Sequence, residues 1–107
     1  MRRGDIVSVI APGDYGKPRP ALVVQSDLFQ AHPSTTVCLM TSDLRDVPLF
    51  RFTVQSNSTN GLQKPSQVMV DKIVTLASSR IGGTIGKLDD SEMAGVTRLL
   101  ALWLGLA

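Results

Sequence analysis

Apolar positions along this chain fall into six short runs followed by one helical stripe. Gly4-Asp5-Ile6-Val7-Ser8-Val9-Ile10 is rich in β-branched residues and is closed by Ala11-Pro12-Gly13, which predicts a first strand. Ala21-Leu22-Val23-Val24 has no polar alternation, as expected of a strand covered on both faces. Ser26-Asp27 predicts a short capped turn of helix through Leu28 and Phe29, broken by Pro33. Strands are then predicted over Thr35–Ser42, Leu49–Val54, Gln67–Leu76 and Ile81–Leu88, the last bent by glycines. Gln55-Ser56-Asn57-Ser58-Thr59-Asn60-Gly61 is the clearest breaker run, a loop tip inside one domain with an Asn-Gly step that favours a tight turn. The final element is a helix: Asp89 is its N-cap, Glu92 completes a capping box, and Met93, Val96, Leu99, Leu100, Trp103 and Leu104 recur at helical spacing. These elements predict a mainly β, α+β domain.

Between the first two strands, Gly13-Asp14-Tyr15-Gly16-Lys17-Pro18-Arg19-Pro20 turns from a mobile polar loop into a rigid one within a few residues. Pro18 and Pro20 fix their own φ and push the preceding residue out of the helical region, so Lys17 and Arg19 sit on extended backbone. Arg19 stands where the second strand begins. A guanidinium held at the mouth of a buried strand suits an anionic ligand such as phosphate. A surface arginine beside a structural turn is the plainer reading and stays open on these residues alone.

Composition narrows the class. With 107 residues and 43% hydrophobic content the chain makes one domain, residues 1–107, with a sufficient core. A net charge of +2 permits nucleic-acid binding without requiring it. The single Cys38, inside Val37-Cys38-Leu39-Met40, excludes an internal disulfide and a cysteine-based zinc cage. No His/Cys/Asp cluster has metal-ligand spacing, and no glycine-rich nucleotide loop opens a helix, so no metal or cofactor is expected. No apolar run follows Arg2 and Arg3, and no segment approaches membrane-spanning length, which predicts a soluble cytoplasmic protein. The helix end adds Ala101, Leu102, Leu106 and Ala107 and is apolar nearly all round. That favours a homodimer interface over a terminus tucked into its own core, with Leu100, Trp103 and Leu104 as the interface residues.

Asp71 lies mid-strand, where aspartate is disfavoured, with Met69 and Ile73 expected beside it on the same face. An acid–base role is one explanation; a partner on a neighbouring strand is the other. Thr41 and Ser42 end the third strand with hydroxyls.

Arg3-Gly4-Asp5-Ile6-Val7, Pro18-Arg19-Pro20-Ala21-Leu22-Val23-Val24 and the strand ending Thr41-Ser42 resemble the MazF/PemK family of toxin endoribonucleases. Gly61-Leu62, Lys64-Pro65-Ser66 and Val70-Asp71-Lys72-Ile73, followed by a closing apolar helix, are similar to its second half. The resemblance covers nearly the whole chain in order. It implies a small SH3-like barrel of antiparallel strands with a C-terminal helix, assembled as a homodimer. It also implies metal-independent, sequence-specific cleavage of single-stranded RNA through the 2′-hydroxyl, and a cognate antitoxin whose disordered tail covers the active groove.

Residue by residue, the resemblance makes Arg19 the arginine on the scissile phosphate, Thr41 the threonine that helps hold it, and Asp71 the aspartate that one branch uses as general base. The chain departs from that branch. Met69 stands where an arginine lies two residues before the aspartate, and Asp14 and Tyr15 stand nearest its first-loop histidine. The branch built on the strand-entry arginine and the threonine fits better, and the base is Asp14, Asp71 or neither. Asp14, Tyr15, Lys17, Ser42, Arg45 and Lys64 are the remaining candidate RNA contacts, with Tyr15 or Phe50 stacking on a base. Two alternatives share this fold: a CcdB-like gyrase poison, loosely echoed by Trp103-Leu104-Gly105, and a catalytically inactive binding module.

Overall fold

A computed structural model describes all residues, 1–107. Six strands form one antiparallel sheet: β1 (Asp5–Val9), β2 (Arg19–Val23), β3 (Ser34–Thr41), β4 (Arg51–Val54), β5 (Ser66–Ala77) and β6 (Ile81–Lys87), in spatial order β4-β5-β3-β2-β1-β6. One helix, α1 (Asp90–Trp103), follows. The mainly β class and the terminal helix agree with the sequence. The strands form the antiparallel, barrel-like sheet expected, curled but open between its edges β4 and β6.

Side chains alternate across a strand, so each strand feeds two apolar layers. On one face Ile6, Leu22, Cys38, Met40, Val68 and Val70 pack beneath Met93, Val96 and Leu100 of α1. On the other, Val7, Val9, Ala21, Val23, Val37 and Leu76 are buried by strand residues alone, which the curl of the sheet makes possible. The curl is concentrated where the β3–β5 ladder steps from Cys38↔Ile73 to Met40↔Val68, so that five residues of β5 run beside two of β3.

The helix begins as its sequence dictates. Asp89 accepts from the Glu92 amide and Glu92 returns a bond to the Asp89 amide. It ends at Gly105 (φ 74°), with Leu106 N–H donating to Ala101 O and Gly105 N–H to Leu102 O, a Schellman closure. The Trp103-Leu104-Gly105 sequence is therefore accounted for as a helix stop. Asn60 is fully buried and ties down the Gln55–Leu62 loop: its Oδ1 accepts from Asn57 and Leu62 amides while its Nδ2 donates to Gln55 O. No helix is long and apolar enough to cross a membrane.

Candidate active site

The β2–β3 ladder pairs Val23 with Val37, Leu22 with Cys38 and Ala21 with Leu39. The same register, carried two residues further, sets Arg19 across from Thr41 at the strand ends. Both then point to the face away from α1, and both are partly open to solvent. Thr41 Oγ1 accepts from the Asp43 amide, which fixes the hydroxyl at the start of the loop leaving β3.

Asp14 comes to Arg19 from the β1–β2 loop. The Arg19 Nε lies 3.0 Å from Asp14 Oδ2, with side chains 42% and 19% exposed. The N–H is not aimed at the carboxylate, so this is a charge contact without an aligned hydrogen bond, and neither atom has another partner. The terminal nitrogens of Arg19 make no ion pair or hydrogen bond within the protein. Asp14 thus holds one edge of the guanidinium and leaves its fork free to take two oxygens of a phosphate.

The loop that carries Asp14 is a tight turn. Lys17 N–H donates to Asp14 O, and the central residues Tyr15 (φ 52°) and Gly16 (φ 78°) both have positive φ, as in a type I′ turn. Glycine takes that conformation freely; a tyrosine there is an outlier, and outliers cluster at ligand sites. Its ring is fully exposed at the loop tip, with Lys17 exposed beside it.

Two residues that the sequence did not single out organise the other flank. Gln67 pairs with Thr41 across β3–β5 and with Thr53 across β5–β4. Its buried amide accepts from the Arg45 amide at 3.0 Å and donates to Arg45 O at 2.8 Å, clamping the loop after β3. Arg51 donates from Nη1 to Asp43 O and Gln67 Oε1. Arg45 itself pairs with Asp43 at 2.9 Å, and its guanidinium, hydrogen-bonded to that carboxyl, holds it below the usual carboxylate range. No local signal in the sequence marks this clamp, which Gln67 acquires only through its pairing with Thr41 and Thr53.

Ser42 and Lys64 lie elsewhere. Together with Pro20, Gly61, Leu62 and Ile85 they line a separate groove of about 370 Å³. Strand alternation turns Pro20 and Ser42 to the side opposite Arg19 and Thr41. Asp71 joins neither group. The five-against-two step in β5 breaks the alternation that would have set it between Met69 and Ile73, and brings it close enough to Cys38 to disfavour the thiolate. Burial first, and Asp71 second, push the Cys38 thiol up to about 12. Asp71 Oδ1 is buried without a partner, four residues along β5 from Gln67, the residue paired with Thr41.

At the helix end, Leu100 is turned into the core at 8% exposure, so it is not available to a second subunit, contrary to its expected place in an interface. Its spacing from Met93 and Val96 puts it on the arc of α1 that faces the sheet. Trp103 and Leu104 are half-exposed, Trp103 tilted over Phe50 at 6.2 Å between ring centroids.

Comparison with known proteins places this arrangement. A family model described as "PemK-like, MazF-like toxin of type II toxin-antitoxin system" matches residues 2–104. A probable endoribonuclease MazF of Mycolicibacterium smegmatis is 40% identical over 108 residues, covering 100% of this chain and 99% of that protein. Endoribonuclease MazF9 of Mycobacterium tuberculosis is 31% identical, covering 99% and 98%. Among solved structures, the Mycobacterium tuberculosis toxin MazF-mt6 matches with a TM-score of 0.81 at 24% identity, over 98% of this chain and 99% of that one. An endoribonuclease in complex with its cognate antitoxin, from Mycobacterial species, matches at 0.82 and 22% identity, over 100% and 97%. The chain belongs to the PemK-like, MazF-like toxin family of type II toxin–antitoxin systems.

Proposed function

We propose that this chain is an endoribonuclease toxin that cuts single-stranded RNA by activating the substrate's own 2′-hydroxyl, in a sequence-dependent way and without a metal ion. The observation that carries the proposal is the meeting of Arg19, Thr41 and Asp14 on one open face. RNA supplies its own nucleophile, so the protein has to align it, move a proton and stabilise developing anionic charge. Arg19 takes the phosphate oxygens through its free nitrogens and Thr41 positions them. The outer oxygen of the Asp14 carboxylate, Oδ1, which is not the one against Arg19, accepts the 2′-proton as the 2′-oxygen attacks phosphorus. The P–O5′ bond then breaks and the departing oxygen takes a proton from water, leaving a 2′,3′-cyclic phosphate and a 5′-hydroxyl. Asp14 is favoured as base over Asp71 because it alone lies against Arg19. Tyr15, Lys17 and Arg45 flank this centre and contact the strand on either side. Ser42 and Lys64, across the rim, take nucleotides that wrap over the strand ends.

The exposed Leu49, Leu102, Trp103, Leu104 and Leu106 form an apolar end that supports assembly as a homodimer. An antitoxin segment laid over the Arg19 face holds the toxin inactive. Incubation with RNA in EDTA tests the chemistry: the products carry 2′,3′-cyclic phosphate, and a 2′-deoxy substitution at the scissile nucleotide abolishes the cut. Equal cleavage of the deoxy-substituted strand would overturn the mechanism. Trapping of cleaved plasmid with gyrase, and no RNA cut, would transfer the chain to the rival activity.

A further inference from the structure

The loop between β4 and β5 carries both asparagines of the chain, Asn57 and Asn60, and Asn60 is followed by glycine. Asparagine is thermolabile, most of all before glycine. The glycine nitrogen attacks the asparagine Cγ, and with no Cβ on the glycine little hinders its approach. Here the fold itself demands the labile pair. Gly61 has φ 68°, and a Cβ on it would overlap Ile85 O. A Cβ on Gly86 would overlap the Asn60 carbonyl. β6 is thus pressed against the Asn60–Gly61 backbone, and Lys87 N–H donates to Thr59 O beside it. Through these contacts the loop leaving β4 reaches the opposite edge of the open sheet.

In the folded protein each reacting group is held. Asn60 is fully buried. Its Oδ1 accepts from the Asn57 and Leu62 amides at 3.1 and 3.0 Å, and its Nδ2 donates to Gln55 O at 2.8 Å, so the carboxamide cannot turn. The Gly61 N–H donates to Asn57 O at 3.1 Å, which keeps the attacking nitrogen from a base in solvent. We infer that Asn60 is a deamidation site locked by the fold, which reacts once the loop unfolds and then bars the chain from refolding. On opening, the Gly61 N–H gives its proton to hydroxide and the nitrogen bonds to Asn60 Cγ. The Cγ–Nδ2 bond breaks, and the nitrogen leaves as ammonia with a proton from water. Water then opens the succinimide at either carbonyl, leaving aspartate or isoaspartate. Neither product fits. Aspartate sets an oxygen against Gln55 O in place of the Nδ2 donor, in a site closed to water. Isoaspartate routes the main chain through Cβ, adding a carbon where Gly86 presses on Asn60, and leaves a carboxylate in that contact. A molecule that stays unfolded long enough is therefore withdrawn irreversibly.

The test incubates the full chain at mildly alkaline pH, in native buffer and in guanidinium chloride, and follows both asparagines by peptide mass spectrometry. In denaturant Asn60 converts ahead of Asn57, which is followed by serine. In native buffer Asn60 converts about 10³-fold more slowly, because only molecules with the loop open react. The denaturant is then diluted out, and the folded fraction is isolated by gel filtration and checked by circular dichroism. Chains converted at Asn60 are expected to be lost from that fraction. Chains carrying aspartate at position 57 are expected to remain in it, since the exposed Asn57 uses only Oδ1, as an acceptor from the Thr59 and Asn60 amides. Conversion of Asn60 in native buffer at the denatured rate would overturn the inference. So would its failure to convert in denaturant, or recovery of Asn60-converted chains in the folded fraction with the wild-type spectrum.

Discussion

Replacing Asp14 by asparagine removes one charge and keeps the shape of the side chain, which separates two consequences of its contact with Arg19. In the free protein the carboxylate competes with phosphate for the guanidinium. At the 3.0 Å separation the bare Coulomb attraction would be about 5.5 kcal/mol at an effective dielectric of 20. Arg19 is 42% exposed, however, so screening and the lack of an aligned hydrogen bond bring the pair down to the surface range of about 1 kcal/mol or less. Asp14→Asn should therefore bind an uncleavable, 2′-deoxy-substituted RNA up to about fivefold more tightly. Loss of the general base acts the other way and on a larger scale, lowering the single-turnover cleavage rate by about 10²- to 10⁴-fold. Tighter binding with much slower chemistry is the signature. A rate that rises along with affinity would make Asp14 a plug on Arg19 and nothing more, and an unchanged rate would remove it from the mechanism.

Gly95→Ala tests packing between the helix and the sheet. Alanine gains about 0.5–1 kcal/mol of helix propensity, but its Cβ would overlap the Phe52 ring, and overpacking costs about 1–3 kcal/mol. The melting temperature is expected to fall by several degrees in calorimetry, and a rise would contradict the packing described. Cys38 predicts an alkaline loss of stability. Above about pH 9 the unfolded thiol releases its proton while the folded one, raised to about 12, keeps it, so stability falls between those values by up to about 1.4 kcal/mol per pH unit. Cys38→Ala should flatten that slope relative to wild type in urea titrations at pH 8 to 10.5; parallel slopes would show that the thiol is not buried as described.

Local signals in the sequence were reliable wherever chemistry and conformation depend on neighbours along the chain. Asp89 with Glu92 marked the helix start, Ser26 marked the turn it caps by accepting from the Leu28 amide, and Pro18-Arg19-Pro20 marked the entry to β2. Features set by cross-strand register were not legible. Asp71 was misplaced on its strand because nothing in Val70-Asp71-Lys72-Ile73 announces that β5 gains residues against β3 there. Gln67 is ordinary in sequence and becomes the clamp of the Arg45 loop only through its pairing with Thr41 and Thr53. Leu100 failed for another reason: the end of α1 is apolar nearly all round, so periodicity could not tell the arc facing the core from the arc left open.

The account stands on Arg19 as the group that stabilises the charge developing on the scissile phosphate. The most direct measurement is the single-turnover rate of RNA cleavage by Arg19→Ala in EDTA, with circular dichroism and sedimentation recorded on the same sample. A loss of a hundredfold or more, in a protein that keeps wild-type secondary structure and assembly, is the predicted result. Cleavage at the wild-type rate by that folded variant would contradict the account.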